Sequence, residues 1–284
     1  MAQILKGAEV VEALNKHIVS EAEQLMRRGV QPTLASVRVG ERGDDISYER
    51  GAVKRAEKLG IAVRSIVLPE DTTTDHLIET IESLNIDRGV HGVLFFRPLP
   101  RHIDEDLVRN TLSPEKDIDG ITDLSLAGVF ANTPTGFPPC TAQACMEILK
   151  HFAVELKGRK TVVIGRSLVV GKPVSMLLLA EHATVTIAHS RTEDLPSIVR
   201  EADIVIASVG QARMIDARYL SPGQVVIDVG INVTEAGSLV GDVDFEEAVE
   251  VVGALTPVPG GVGTVTTSVL IKHVVQAASK MTSL

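Results

Sequence analysis

The run Thr161-Val162-Val163-Ile164-Gly165 narrows the fold more than any other part of this chain. It is an unbroken apolar stretch closed by glycine, the pattern of a strand covered on both faces. Strands of that kind belong to parallel sheets. The pattern repeats downstream. A helix is expected over residues 172–181, a strand over 183–188, a helix over 195–201, and strands over 204–207 and 225–229. Alternating strands and helices imply right-handed crossovers and a parallel sheet.

The first half alternates in the same way. Val10, Val11, Leu14, Ile18 and Leu25 repeat at close to 3.6 residues, so residues 7–28 read as a helix stopped by Gly29. Residues 34–39, 61–68 and 91–96 read as strands, and 45–59 as a polar amphipathic helix closed by Gly60. Asp71-Thr72-Thr73-Thr74 offers N-cap chemistry for a helix reaching residue 84. Residues 104–141 hold Asp119-Gly120, Pro134, Gly136 and Pro138-Pro139 and read as loop-rich. We place a domain junction there, with Thr141 capping a helix that runs to residue 152. Residues 266–279 are helical in pattern.

Composition removes several function classes. The 284 residues carry a net charge of −9, which argues against a protein that binds nucleic acid through Lys and Arg. Cys140 and Cys145 are the only cysteines, and no His/Cys cluster accompanies them. Neither a disulfide scaffold nor a zinc site is expected, and no metal is assigned. No apolar run approaches the roughly 18 residues of a membrane span. No signal-peptide pattern opens the chain. A cytoplasmic protein without membrane or nucleic-acid partners is the expectation.

Four segments carry candidate chemistry. Gly165-Arg166-Ser167-Leu168-Val169-Val170-Gly171-Lys172-Pro173 follows a buried strand and opens a helix, where a dinucleotide pyrophosphate meets free N–H groups. Its spacing is not GxGxxG, and an ordinary βα turn accounts for it equally well. Ser190 and Arg191 follow the next strand, where Arg suits the 2′-phosphate of NADP and an acidic residue would suit NAD. A solvated loop Arg is the plainer account of Arg191. Gly210 and Gly230-Ile231 close two further strands. Pro257-Val258-Pro259-Gly260-Gly261-Val262-Gly263 is a constrained loop ahead of a helix. In the first half, Tyr48 and Lys54 share one predicted helix, and Asp119 lies in a loop; singly, each is an ordinary surface or turn residue.

Together these segments resemble the bifunctional methylenetetrahydrofolate dehydrogenase/cyclohydrolases. The likeness runs from about Gly7 to Ala278. It is strongest at Pro98-Leu99-Pro100-Arg101-His102-Ile103-Asp104, at Lys116-Asp117-Ile118-Asp119-Gly120, at Pro139-Cys140-Thr141 and in the glycine-rich segments above. The resemblance implies a two-domain α/β protein. An N-terminal α/β catalytic domain would hold the folate (residues 1–140 plus 268–284), and a C-terminal Rossmann-type parallel-sheet domain the NADP (141–267), with the active site in the cleft between them. NAD is the alternative cofactor, tetrahydrofolate the substrate carrier, and a homodimer the expected assembly. Tyr48 corresponds to the family Tyr that stacks on the folate, and Asp119 to the Asp that hydrogen-bonds the pterin. Pro98, Leu99, Pro259, Gly260 and Gly261 would line the substrate. Gly165, Arg166, Ser167, Gly171, Ser190, Arg191, Gly210, Gly230 and Ile231 would line the cofactor.

Two positions depart from the family pattern. Four residues after the Tyr the family has its catalytic Lys, and here stands Ala52. The Gln that partners that Lys is replaced by Phe96. Lys54 lies two residues further on, about 200° round a helix, and is expected to face elsewhere. Arg97 follows Phe96 and faces the opposite side if the strand continues, unless the strand end twists it in. The expectation is a dehydrogenase whose cyclohydrolase activity is weak or absent. The alternatives are a bifunctional enzyme with another proton-handling residue, and a silent protein that binds folate or dinucleotide.

Overall fold

A computed structural model describes residues 2–282. In chain order the elements are β1 (Gln3–Ile4), α1 (Gly7–Arg27), β2 (Thr33–Val39), α2 (Gly43–Lys58), β3 (Ala62–Leu68) and α3 (Thr74–Ile86). Then come β4 (Gly92–Phe95), α4 (Glu105–Thr111), α5 (Asp123–Ala131), α6 (Cys140–His151), β5 (Lys160–Ile164) and α7 (Gly171–Ala180). The remainder is β6 (Thr184–Ala188), α8 (Leu195–Arg200), β7 (Ile204–Ala207), β8 (Val225–Asp228), β9 (Asn232–Val233), β10 (Leu239–Val240), α9 (Phe245–Val251), β11 (Ala254–Leu255) and α10 (Val262–Thr282). Contacts divide the chain into two compact units. One holds Met1–Glu12 and Thr141–Thr266, the other Ala13–Cys140 and Thr267–Leu284.

The smaller sheet runs in the order β3-β2-β4, all parallel, with Val37 opposite both Ile66 and Phe95. Its core joins Ala35, Val37, Val93 and Phe95 to Leu77, Ile81 and Leu84 of α3 and Val108 of α4. The segment expected as loop-rich also holds two helices, which the sequence reading did not place. Asp104 caps α4 by accepting from Leu107 N at 3.0 Å, and Thr122 caps α5 by accepting from Ser125 N at 3.1 Å.

Buried Lys116 donates to Leu84 O and Asp87 O at the end of α3, each at 2.6 Å, closing carbonyls that the helix leaves open. Asp117 accepts from Ile121 N and Thr122 N at 3.0 and 2.8 Å. Gly120 has φ +68°, and a Cβ there would fall 2.4 Å from Pro139 N. These ties fix the loop that presents Asp119.

The larger sheet runs β1-β11-β8-β7-β5-β6, parallel throughout. Val162, Ile164, Val205, Ala207 and Val226 are its buried centre. β1 pairs with β11, so the first residues join this sheet, whereas residues 1–140 were expected to go with the folate domain. α6 starts at Cys140, which puts Thr141 inside the helix rather than at its cap. α10 starts at Val262, a turn before the expected residue 266, because Gly263 is tolerated in its first turn. No described helix is long and apolar enough to cross a membrane.

Candidate functional site

The unit built on β2, β3 and β4 contains a cavity of about 380 Å³. Arg42, Asp44, Asp45 and Tyr48 reach it from the start of α2, Leu94 to Arg97 from the end of β4, and Asp119 from its loop. Tyr48 and Asp119, far apart in sequence, thus share one site. Leu94, Phe95 and Phe96 give it an apolar wall, and the charged groups ring the rest. A concave site of this size with convergent polar groups and one apolar wall can take a small molecule.

Burial pushes the Asp119 carboxyl up to about 6; the Cys140 thiol beside it and the nearby Arg97 pull the other way. The Tyr48 phenol is pushed up to about 12, first by burial and then by the negative charge of Asp119. The residue is still 47% exposed, while its hydroxyl bonds Thr267. Behind Asp119 lies a buried row. Cys140 Sγ donates to Ile118 O at 3.2 Å, and His273 Nδ1 lies 2.8 Å from the same oxygen. A carbonyl only accepts, so Nδ1 carries the proton. Burial holds the Cys140 thiol well above its ordinary range, so it stays protonated.

Ala52 stands one turn after Tyr48 and is buried, with no group able to carry a proton. Phe96 meets the Tyr48 ring edge to face, centroids 6.0 Å apart at 78°. The two positions where the family resemblance expects a Lys and a Gln therefore carry hydrocarbon side chains. Lys54 is exposed. Arg97 does reach the cavity: β4 ends at Phe95, and strand alternation ends with it. Its guanidinium is held by Glu105 at 3.2 Å. Arg42, Asp44 and Asp45 also line the cavity, and the sequence reading singled out none of them. Pro98 accepts from Arg42 Nη1 at 2.8 Å, and Leu99 N donates to Glu105 at 2.9 Å, so both serve to fix the loop after β4.

In the other unit, parallel pairing brings four strand ends side by side. Gly165, Arg166 and Ser167 follow β5; Ser190 and Arg191 follow β6; Gly210 follows β7; Gly230 and Ile231 follow β8. The chain steps to opposite sides of β5 to reach β6 and β7, which makes the β5–β7 edge the switch point where open α/β sheets bind ligands. The backbone is open there. A Cβ on Gly165, at φ +132°, would fall 2.3 Å from Ser208 O, and one on Gly171 would fall 2.3 Å from Gly165 O. Ser167 Oγ accepts from Val170 N at 3.1 Å and shapes the turn into α7. The exposed Arg191 guanidinium has no bonded partner among the described residues. Bare glycine backbone at a helix start, with a free guanidinium beyond it, fits the pyrophosphate and 2′-phosphate of NADP.

Asp242 escaped the sequence reading. It is fully buried and accepts from Val209 N, Gly210 N and Gln211 N at 2.6, 3.0 and 3.0 Å, and from Asn232 Nδ2 at 3.0 Å. One carboxylate thus organises two of the strand-end loops. Only the Gly241-Asp242 pair hinted at it. Pro259, Gly260 and Gly261 form the turn before α10; Gly7 N donates to Gly260 O at 2.8 Å. Their packing is against the start of α1.

Glycine-lined strand ends on a parallel sheet, and a mixed-charge cavity holding a raised carboxyl, define a dinucleotide-linked enzyme class. The tetrahydrofolate dehydrogenase/cyclohydrolase catalytic-domain model matches residues 5–119, and the NAD(P)-binding-domain model of the same family matches 139–282. The bifunctional protein FolD of Clostridioides difficile (strain 630) is 50% identical over 275 residues, covering 97% of this chain and 96% of that one. The Campylobacter jejuni FolD methylenetetrahydrofolate dehydrogenase/cyclohydrolase crystal structure superposes with TM-score 0.95 at 34% identity, covering 99% of each chain. The Trypanosoma brucei FolD, solved with NADP cofactor and an inhibitor, superposes with TM-score 0.91 at 35% identity, covering 100% of this chain and 99% of that one. The chain belongs to the tetrahydrofolate dehydrogenase/cyclohydrolase family.

Proposed function

We propose that this protein oxidises 5,10-methylenetetrahydrofolate with NADP⁺ and hydrolyses the methenyl product weakly or not at all. The dehydrogenase half is the family's own chemistry. The weakness of the second half rests on one observation: Phe96 stands in the cavity wall edge to face with Tyr48, and Ala52, one helical turn after Tyr48, carries no proton-handling group. That reading departs from the relatives, whose names carry both activities.

The two reactions ask different things of the cavity. Bound NADP⁺ supplies a hydride acceptor. Removing hydride from a carbon between two nitrogens leaves a delocalised cation, so the chain needs mainly to position the ring and balance its charge. The Tyr48 ring offers a stacking surface, and Asp119 offers an acceptor beside it. Water attack on the cation also needs a group to take a proton near neutral pH. Tyr48 keeps its proton up to about 12. A guanidinium such as that of Arg97 is a poor proton shuttle.

One observation favours a second reading. The Asp119 carboxyl, at about 6, is ionised at neutral pH and could accept the proton of an attacking water. A bifunctional enzyme would then survive without the Lys. The test is a single reaction with 5,10-methylenetetrahydrofolate and NADP⁺, following reduced cofactor and methenyltetrahydrofolate on separate channels. The first reading expects both to rise in step. Methenyl loss faster than its spontaneous hydrolysis, abolished by Asp119→Asn, would favour the second. No turnover with NADP⁺ or NAD⁺ would leave a binding protein. The same proposal takes the protein as a cytoplasmic homodimer, which light scattering on the purified enzyme would check for assembly.

A further inference from the structure

α2 carries a substrate-facing ring, yet it has little apolar surface to hold it down. Its 16 residues bury only Glu49, Ala52 and Ala56. Two alanines remove little area from water. The third residue is a carboxylate, and it is only 8% exposed. Glu49 Oε1 accepts from Ser36 Oγ at 2.7 Å, and Oε2 accepts from Arg38 Nε at 2.7 Å. Ser36 and Arg38 stand two apart on β2 and so share a face of the sheet. Arg38 also donates to Gly40 O. The ends of the helix are fastened by polar groups too. Arg42 Nη1 holds Pro98 O at 2.8 Å, and Arg55 Nη1 donates to buried Ser268 Oγ at 3.1 Å.

We infer that Glu49 is a positioning residue for Tyr48, and that its clamp on Ser36 and Arg38 sets where the Tyr48 ring stands over the cavity. Glu49 is the next residue along the same helix, so any slide or roll of α2 on β2 moves the ring. Alanine contacts tolerate such movement. A carboxylate bonded through both oxygens to two fixed donors does not, because those bonds are directional. Removing the charge leaves the Arg38 guanidinium, itself 12% exposed, without its partner in a mostly dry place. The inference rests on the reading that Tyr48 faces the folate.

The test uses the full-length enzyme and two readouts, turnover and the titration of Tyr48. The chain has two tyrosines and no tryptophan, so in a Tyr219→Phe background the ultraviolet tyrosinate signal is that of Tyr48 alone. Glu49→Gln is expected to raise KM for 5,10-methylenetetrahydrofolate about tenfold, with kcat and KM for NADP⁺ within about twofold. The Tyr48 midpoint should fall from about 12 toward the ordinary tyrosine value near 10. Ser36→Ala removes one bond only and should move both readouts the same way, KM by about threefold. Arg38→Met with Glu49→Leu removes both charges; it should regain stability while KM stays raised.

Unchanged folate KM and unchanged titration in Glu49→Gln, whatever happens to its melting temperature, would overturn the inference. Wild-type values in the Arg38→Met/Glu49→Leu enzyme would do the same. If Glu49→Gln does not fold, Ser36→Ala decides by the same two readouts. Absence of folate turnover in the parent enzyme would instead sink the proposed function, and the titration would still report on the clamp.

Discussion

Phe96 packs edge to face on Tyr48, and Ala52 stands one helical turn after it, so the proposed loss of water chemistry can be tested by restoring the family's residues. Ala52→Lys with Phe96→Gln is expected to raise methenyltetrahydrofolate hydrolysis by about 10²-fold, the lower end of what a placed acid–base group contributes. Dehydrogenase kcat should change little. Absorbance of the methenyl compound during turnover reads the outcome. Asp119 gives a second prediction. Its carboxyl titrates at about 6, so kcat/KM for the dehydrogenase should climb through an apparent pKa near 6 as the acceptor ionises, and Asp119→Asn should erase that limb. Tyr48 and Asp119 were legible through the family motifs. Arg97 was half legible, since only the strand's end at Phe95 decides which way it points. Glu49, Ser36 and Arg38 were illegible. Two polar residues within β2 weaken its pattern, and nothing in sequence says that one carboxylate will gather both.

At the scale of elements, parallel pairing does what spacing in the chain does not. The β5 and β7 runs announced themselves by composition, and the strand ends converge once the order β6-β5-β7-β8 is set. α4 and α5 were missed, as was the β9–β10 hairpin, whose two-residue strands carry no period. The convergence can be tested at its tightest point. Gly165→Ala forces a side chain onto φ +132° and to 2.3 Å from Ser208 O, so the β5 and β7 ends must part. NADPH affinity, read by its fluorescence, should fall at least about tenfold, with about 1–3 kcal/mol lost from stability. Arg191→Ala leaves the sheet alone. It should raise KM for NADP⁺ about tenfold and leave KM for NAD⁺ in place, since only NADP⁺ carries the extra phosphate. Equal losses for both cofactors would remove Arg191 from the site.

For the whole molecule, acid stability turns on carboxyls shifted in opposite directions. Asp119 in one unit and Asp228 in the other are both raised to about 6, chiefly by burial. A raised carboxyl holds its proton in the folded state where the unfolded chain has released it. Its contribution is full below about 4, the unfolded value, and is lost as pH climbs through 6. Half-buried Asp87 and Asp216 and exposed Asp123 are lowered by a backbone N–H or an arginine, and they help only above the ordinary carboxylate range. His91, lowered by burial, opposes the raised pair just below its ordinary value. Stability should therefore peak on the acid side of neutrality and decline toward pH 7, where the net charge of −9 adds self-repulsion. The decisive comparison is Asp119→Asn against wild type by calorimetry at fixed ionic strength. An amide cannot ionise, so the variant should gain on wild type steadily from pH 4 to 7, by up to about 3 kcal/mol for a shift of about two units. A difference that stays flat across that range would mean that Asp119 is not buried with its charge in the folded protein. The acid limb of the dehydrogenase would then have to come from another group.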